Sequence, residues 1–245
     1  MAPDDHAKHY DIISDPEKRL AHEGQFLLWL LAKAPGRRVL DMACGTGVQA
    51  EFLAEHGATV TARDVDGAMI AFARGKRPHP NVTYEVADMR EGAGGPFDLA
   101  IVMGNSISLL PEYDDVVKTL ARMKEALVPA GVGFVHVINY SGVEAARPRQ
   151  KVARKPTAGG EIMIVKDMIP WGKGGPMLVS FSYFERAGTS WATSGTQSVL
   201  LDLRRPLLEH AAKQAGLEIA AEYGDYDASP FDEELSPDLL ILLAK

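Results

Sequence analysis

The sequence predicts an α/β fold: a mostly parallel sheet covered on both faces by helices, with an antiparallel β insertion after the fifth strand. Three observations predict it. From Arg19 to Asn139, helical and strand patterns alternate at lengths that suit βαβ crossovers. A buried strand at Val39–Asp41 runs into a glycine turn that opens a helix. From Ser141 to Asp202 the rhythm changes to extended, alternating segments broken by Gly and Pro. A chain of 245 residues, 46% apolar, fits one domain, because a single core stops growing near ~250–300 residues.

The elements follow in order. Arg19–Ala34 reads as an amphipathic helix with Leu20, Phe26, Leu27, Leu30 and Leu31 on one side, stopped by Pro35-Gly36. Arg38–Met42 is a short buried strand, and Gly45-Thr46-Gly47 turns it into the helix Val48–His56. Ala58–Ala62 is the next strand, and Gly67–Arg74 the next helix. Asn81–Ala87 and Phe97–Met103 are strands, Tyr113–Leu127 is a helix closed by Pro129-Ala130-Gly131, and Val132–Asn139 is the fifth strand. The insertion holds Glu161–Ile169, Met177–Glu185 and Ser190–Leu201. The helix Arg205–Ala215 and the strands Leu217–Glu222 and Leu239–Ala244 close the chain.

Charge and composition exclude several classes. With 26 Lys+Arg against 33 Asp+Glu the net charge is −7, opposite to the basic footprint of a general nucleic-acid or anionic-membrane binder. A lone cysteine, Cys44, rules out an intramolecular disulfide and a multi-Cys metal site, and no clustered metal-ligand pattern appears, so no metal is expected. Met1–Tyr10 lacks an apolar signal region, and the longest apolar runs are far short of the ~20 residues of a membrane span; the expectation is a soluble, cytoplasmic protein.

The informative string is Asp41-Met42-Ala43-Cys44-Gly45-Thr46-Gly47. Such a turn brings bare backbone close to a ligand, and the helix start offers unpaired N–H donors. A P-loop would need Gly-x-x-x-x-Gly-Lys-Ser/Thr, which the chain lacks. A dinucleotide fingerprint would need a third glycine where Ala50 stands, which leaves a dehydrogenase a distant option.

This string resembles motif I of class I S-adenosylmethionine-dependent methyltransferases, and further posts fall in order along Val39–Asn139. Asp64 ends the second strand, where the resemblance implies an acid that bonds both ribose hydroxyls; Val65 follows it. Asp88-Met89 resembles the pair that meets the adenine. Met103, Asn105 and Ser106, at the end of the fourth strand, complete the implied cofactor lining with Ala43, Gly45 and Gly47. More narrowly, Gly104-Asn105-Ser106 and Asn139-Tyr140 are similar to glycine N-methyltransferase and its small-molecule relatives. Arg19 stands where those relatives grip the cofactor's methionine carboxylate. One departure matters: Ile138 occupies the place of the arginine that holds the substrate carboxylate in the glycine enzyme.

The resemblance implies a Rossmann-like sheet with an antiparallel last strand. It implies a single domain made of an N-terminal lid and helix (1–36), a cofactor core (37–140), a β-rich substrate cap (141–202) and a closing segment (203–245). The expected reaction is methyl transfer from S-adenosylmethionine, leaving S-adenosylhomocysteine, to a small molecule, with nitrogen favoured. Tyr10, His136 and Tyr140 are the catalytic candidates, and Asn139, Tyr140 and Tyr183 the substrate-binding ones. Two alternatives stay open. An O- or C-methyltransferase would use Trp171, Phe181, Tyr183, Phe184 and Trp191 as an aromatic pocket; a non-catalytic binding partner would have no acceptor pocket. Neither a nucleic-acid nor a membrane partner is expected, and homo-oligomerisation stays open. Arg147, Arg149, Lys151, Arg154 and Lys155 read as a solvated loop, with a flap that attracts an anionic substrate as the sharper alternative.

Overall fold

The computed structural model describes residues 3–142, 147–157, 160–171 and 175–245. Two helices come first: α1 (Pro3–Ser14) and α2 (Pro16–Lys33), separated by Asp15, whose side chain accepts from the Lys18 N–H and caps α2. Proline at the first position of α2 suits a helix start. The apolar stripe read from the sequence is buried here, with Phe26, Leu27, Leu30 and Leu31 against the sheet. Helix α1 was not among the expected elements; its stripe is short, being Ala7, Ile12 and Ile13.

The core then alternates β1 (Arg38–Asp41), α3 (Val48–Glu55), β2 (Thr59–Asp64), α4 (Gly67–Lys76), β3 (Val82–Val86), β4 (Phe97–Val102), α5 (Tyr113–Ala126) and β5 (Leu127–Ile138). After the insertion come α6 (Arg205–Ala215), β10 (Glu218–Tyr223) and β11 (Asp238–Ala244). These strands form a seven-stranded sheet in the order β10-β11-β5-β4-β1-β2-β3. The pairs β1–β2, β1–β4, β2–β3 and β4–β5 are parallel, and β11 runs antiparallel to both β5 and β10, as expected. Strand β4 is buried along its whole length, the run of apolar residues typical of a central parallel strand. Strand order reverses between β1 and β4, so a crevice opens at their carboxyl ends, the usual ligand position in such sheets.

The insertion forms a second, four-stranded antiparallel sheet, β6 (Arg149–Thr157), β7 (Gly160–Pro170), β8 (Met177–Ala187) and β9 (Ser190–Leu200). Its first strand corrects the reading of the basic stretch: residues 149–157 are paired residue for residue with β7 and are not a loop. One face carries Ile162, Ile164 and Tyr183, packed on Ile12 and Ile13 of α1. Met177, Val179 and Leu200 join the core beside β5 and α5. Among the described residues no helix is long and apolar enough to cross a membrane.

Candidate functional site

The site is built at the crevice between β1 and β4. The turn after β1 needs its glycines. Gly47 has φ +83°, and a Cβ there would stand 2.7 Å from the Tyr84 hydroxyl oxygen, so a side chain has neither a permitted backbone nor room. The Gly45 N–H donates to Asp64 Oδ2 at 2.8 Å, and the Asp66 N–H to Asp64 Oδ1 at 2.9 Å, which fixes the Asp64 carboxylate at the tip of β2. Burial raises the pKa of Asp64 in spite of these donors.

Asp41 lies at the floor. Its Oδ1 accepts from the Ala43 N–H at 3.3 Å, while its buried Oδ2 has no hydrogen-bond partner. Burial first, with the Asp64 charge adding to it, pushes Asp41 up to about 7. Arg19 of α2 comes in from the side. Its Nε donates to Glu23 at 2.8 Å, Glu23 in turn accepts from Gln49, and neither terminal nitrogen of Arg19 makes a hydrogen bond among the described residues. One of them, Nη2, is 2.9 Å from where a Cβ on Gly104 would stand, so glycine there leaves the guanidinium open to the crevice. A free oxygen beside Asp41 and a free fork on Arg19 suit a ligand carrying both an ammonium and a carboxylate group, as the methionine end of S-adenosylmethionine does.

A family model for the methyltransferase domain matches residues 39–131. The chain is 28% identical to a glycine/sarcosine N-methyltransferase of Halorhodospira halochloris, over 96% of this chain and 85% of that one. It is 25% identical to a cypemycin N-terminal methyltransferase of Streptomyces sp, over 96% and 94%. In fold it is similar to a S-adenosylmethionine-dependent methyltransferase from Clostridium acetobutylicum, with a TM-score of 0.79 at 16% identity over 98% of this chain and 97% of that one. Residues 39–131 carry a methyltransferase domain, and the fold around them is that of the S-adenosylmethionine-dependent enzymes.

In the methyltransferase, Ala43, Gly45, Gly47, Asp64, Arg19 and Asp41 converge as described. Met103 is buried at the end of β4, while Val65 is exposed beyond β2. Asp88 follows β3 as expected, but its carboxylate is taken by Arg90, whose Nε and Nη2 both reach it, and that partner holds its pKa low. Met89 packs partly buried against the core.

Several expected site residues also hold the architecture. Asn105 Oδ1 accepts from Ser108 Oγ and the Ile138 N–H, and its Nδ2 donates to the Tyr140 hydroxyl at 3.0 Å, so Asn105 and the buried Tyr140 pin the end of β4 to the end of β5. Ser106 opens the short 3-10 turn that follows. Asn139, expected to bind substrate, donates its amide to the carbonyls of Asp232, Glu233 and Ser236 and clamps the loop before β11. His136, expected as a base, has its Nδ1 held by the Gly104 N–H and the Tyr226 hydroxyl, and its Nε2 is 3.1 Å from Asp238. Nδ1, which accepts from the Gly104 N–H, is taken, and Nε2, though beside Asp238, makes no hydrogen bond. Tyr183, expected at the substrate, is fully buried; it stacks on His9 and meets His6 Nδ1 through its hydroxyl at 2.9 Å.

The five aromatics of the ring-substrate alternative do not assemble. Phe184 and Trp191 lie on the opposite face of the sheet from Phe181 and Tyr183, by strand alternation and pairing, and Trp171 is exposed. Phe181 alone turns to the crevice, its ring 6.2 Å from that of Tyr10, and Tyr10 in turn lies 4.0 Å from a Cβ built on Gly45.

The sequence reading missed Glu23, Tyr226 and Lys166, and placed Arg149 only within the basic stretch 147–155. Glu23 was signalled by its place four residues after Arg19 on one helix face. Lys166 was signalled by its place directly after the apolar run Ile162–Val165.

Proposed function

We propose that this methyltransferase moves a methyl group from S-adenosylmethionine to the nitrogen of a small, soluble acceptor held between α1, the crevice and the inner face of the second sheet. The observation that carries the reading is the cover over the motif turn: Tyr10 from α1 lies 4.0 Å from a Cβ built on Gly45, and Phe181 from β8 lies beside Tyr10, their ring centres 6.2 Å apart. Two aromatic rings at the crevice suit a small acceptor better than a polymer. Nitrogen is favoured because the glycine/sarcosine N-methyltransferase aligns along almost the whole chain. The scattering of Trp171, Phe184 and Trp191 weakens the aromatic alternative.

When bound, S-adenosylmethionine supplies a methyl group already activated on a sulfonium. The chain's own residues then bind, orient and exclude water. Arg19 would hold the carboxylate and Asp41 the ammonium group of the donor, and Asp64 the ribose hydroxyls. Tyr10 and Phe181 wall off solvent. Well-oriented reactions of this kind draw roughly 7–11 kcal/mol from positioning.

The test is calorimetric titration of the purified chain with S-adenosylmethionine and S-adenosylhomocysteine, with NADH as control and Asp64→Asn and Asp64→Ala alongside. Both sulfur compounds bind the unaltered protein, and Asp64→Ala weakens them by about tenfold or more. Mass spectrometry of a primary- and secondary-amine panel then shows a methylated nitrogen. Tight NADH binding, or products methylated on oxygen or carbon alone, would overturn the reading.

A further inference from the structure

We propose that the methyl acceptor carries an oxyanion group, a carboxylate or a phosphate, and that Arg149 and Lys166 on the inner face of the second sheet bind it. The inference rests on the methyl-transfer reading above and adds the chemical class of the acceptor.

The first support is an unanswered guanidinium. Arg149 Nε and Nη2 are buried and have no hydrogen-bond partner. These two atoms form one edge of the fork that matches a carboxylate or phosphate bidentately. Buried donors are rarely left without a partner, so an orphaned fork marks a place where an acceptor oxygen belongs.

The second support is register. Arg149 pairs with Met168, and Lys151 with Lys166, which pairs in turn with Phe181 on β8. Directly paired residues share a face, and residues two apart share it too. Arg149, Lys151 and Lys166 therefore lie on the face that carries Ile164 and Tyr183, the one turned to α1. The Lys166 ammonium group lies 5.6 Å from the centre of the Phe181 ring, and Phe181 meets Tyr10 above Gly45. The cations thus face the crevice from the side opposite the motif turn.

The third support is uncompensated charge. Among the described residues, none of Arg149, Lys151 and Lys166 forms an ion pair, although the chain is acidic overall. Asp15 feels the charge of Lys151, so that lysine is partly answered from the join of α1 and α2. Lys166 is not. Burial lowers its pKa to about 8, with Lys151, Arg19 and Arg149 adding to the effect. A cluster so crowded with positive charge gains from an anion placed within it. Lys166 and Arg19 feel one another, which puts this cluster next to the donor's end of the site.

The experiment titrates malonate, acetate and inorganic phosphate into the full chain, with tetramethylammonium as the cationic control. It is run with and without saturating S-adenosylhomocysteine, on the unaltered protein and on Arg149→Met, Arg149→Lys and Lys166→Met, with thermal melts to confirm folding. The expected result is that at least one oxyanion binds the unaltered protein. Arg149→Met and Lys166→Met should each weaken it by about tenfold, and Arg149→Lys by less. S-adenosylhomocysteine affinity should stay within about threefold in all variants. Comparison of the carboxylates with phosphate tells which oxyanion the pocket prefers. Equal affinity in Arg149→Met, or no binding beyond tetramethylammonium, would overturn the proposal. Loss of S-adenosylhomocysteine binding with intact anion binding would instead sink the methyl-transfer reading, so the two failures are distinguishable.

Discussion

At the scale of single residues, Asp41 makes the ligand-free protein sensitive to pH. Its carboxyl is buried, one oxygen has no partner, and its pKa rises from 3.8 to about 7. In the window between those values the native state binds a proton that the unfolded chain does not, so stability falls as pH rises through it. The difference of about 3 units corresponds to roughly 4 kcal/mol of native-state cost above pH 7. Asp41→Asn removes the titration. Urea melts at pH 5 and pH 8 should show a smaller pH dependence in the variant, with the gain in stability appearing at pH 8. Asp64, also raised by burial, keeps part of the slope. An equal slope in the two proteins would show that Asp41 is ionised without penalty. Arg19 illustrates the complementary case: Glu23, itself held by Gln49, accepts from Nε, and the two terminal nitrogens make no hydrogen bond among the described residues.

At the scale of elements, the turn between β1 and α3 is set by sterics, and Gly47 there and Gly75 in α4 give opposite expectations. Gly47→Ala places a methyl group 2.7 Å from the Tyr84 hydroxyl, at a φ of +83°. Tyr84 cannot retreat freely, because its hydroxyl donates to the Arg77 carbonyl at 3.0 Å. Left-handed strain and overpacking cost about 1–3 kcal/mol each, so the variant should lose roughly 2–5 kcal/mol in denaturant unfolding. Gly75, in α4, has nothing within 4 Å of a built Cβ, and Gly75→Ala should gain up to about 1 kcal/mol. Loss in both variants would mean that α4 tolerates no ordering, and the steric account of Gly47 would fall with it. Such elements were legible from the chain because their causes are local: a glycine where φ is positive, the buried run Leu99–Val102 in β4, a stripe in α2. The β6 strand was not. Five bases in the span 147–155 looked like a solvated loop, and the pairing with β7 that buries Arg149 is set by a neighbouring strand rather than by local propensity. For Asn139 and His136, the partners were hidden for a similar reason. Each ends or precedes the end of a strand at the ligand edge, yet its partners, in the 232–236 loop and on Tyr226, lie about 90 positions further along the chain.

At the scale of the molecule, α1 is one of two bridges between the sheets, the other being the packing of Met177, Val179 and Leu200 on the main core. Asp11 takes Arg77, whose other nitrogen donates to the carbonyl of Thr46 in the motif turn. On the far side, His6 and His9 hold Tyr183, His9 lies 2.6 Å from Glu185, and Ile13 packs on Ile162 and Ile164. One short helix therefore touches both the motif turn and the second sheet. Burial of Ile13, Ile162, Ile164 and Tyr183 contributes about 1.5–3 kcal/mol per side chain, nearly all of it dependent on α1. The seven-stranded sheet draws on separate packing, in which Leu40, Val102, Leu120 and Val135 bury one another. Deleting residues 3–14 should then divide the molecule's behaviour. Hydrogen exchange should show amides of β7 and β8 losing protection while β1, β4 and β5 keep theirs, and S-adenosylhomocysteine affinity should fall by about tenfold or more as Tyr10 leaves the turn. Uniform loss of protection would make α1 part of one cooperative core, and unchanged affinity would show that the donor site is complete without it.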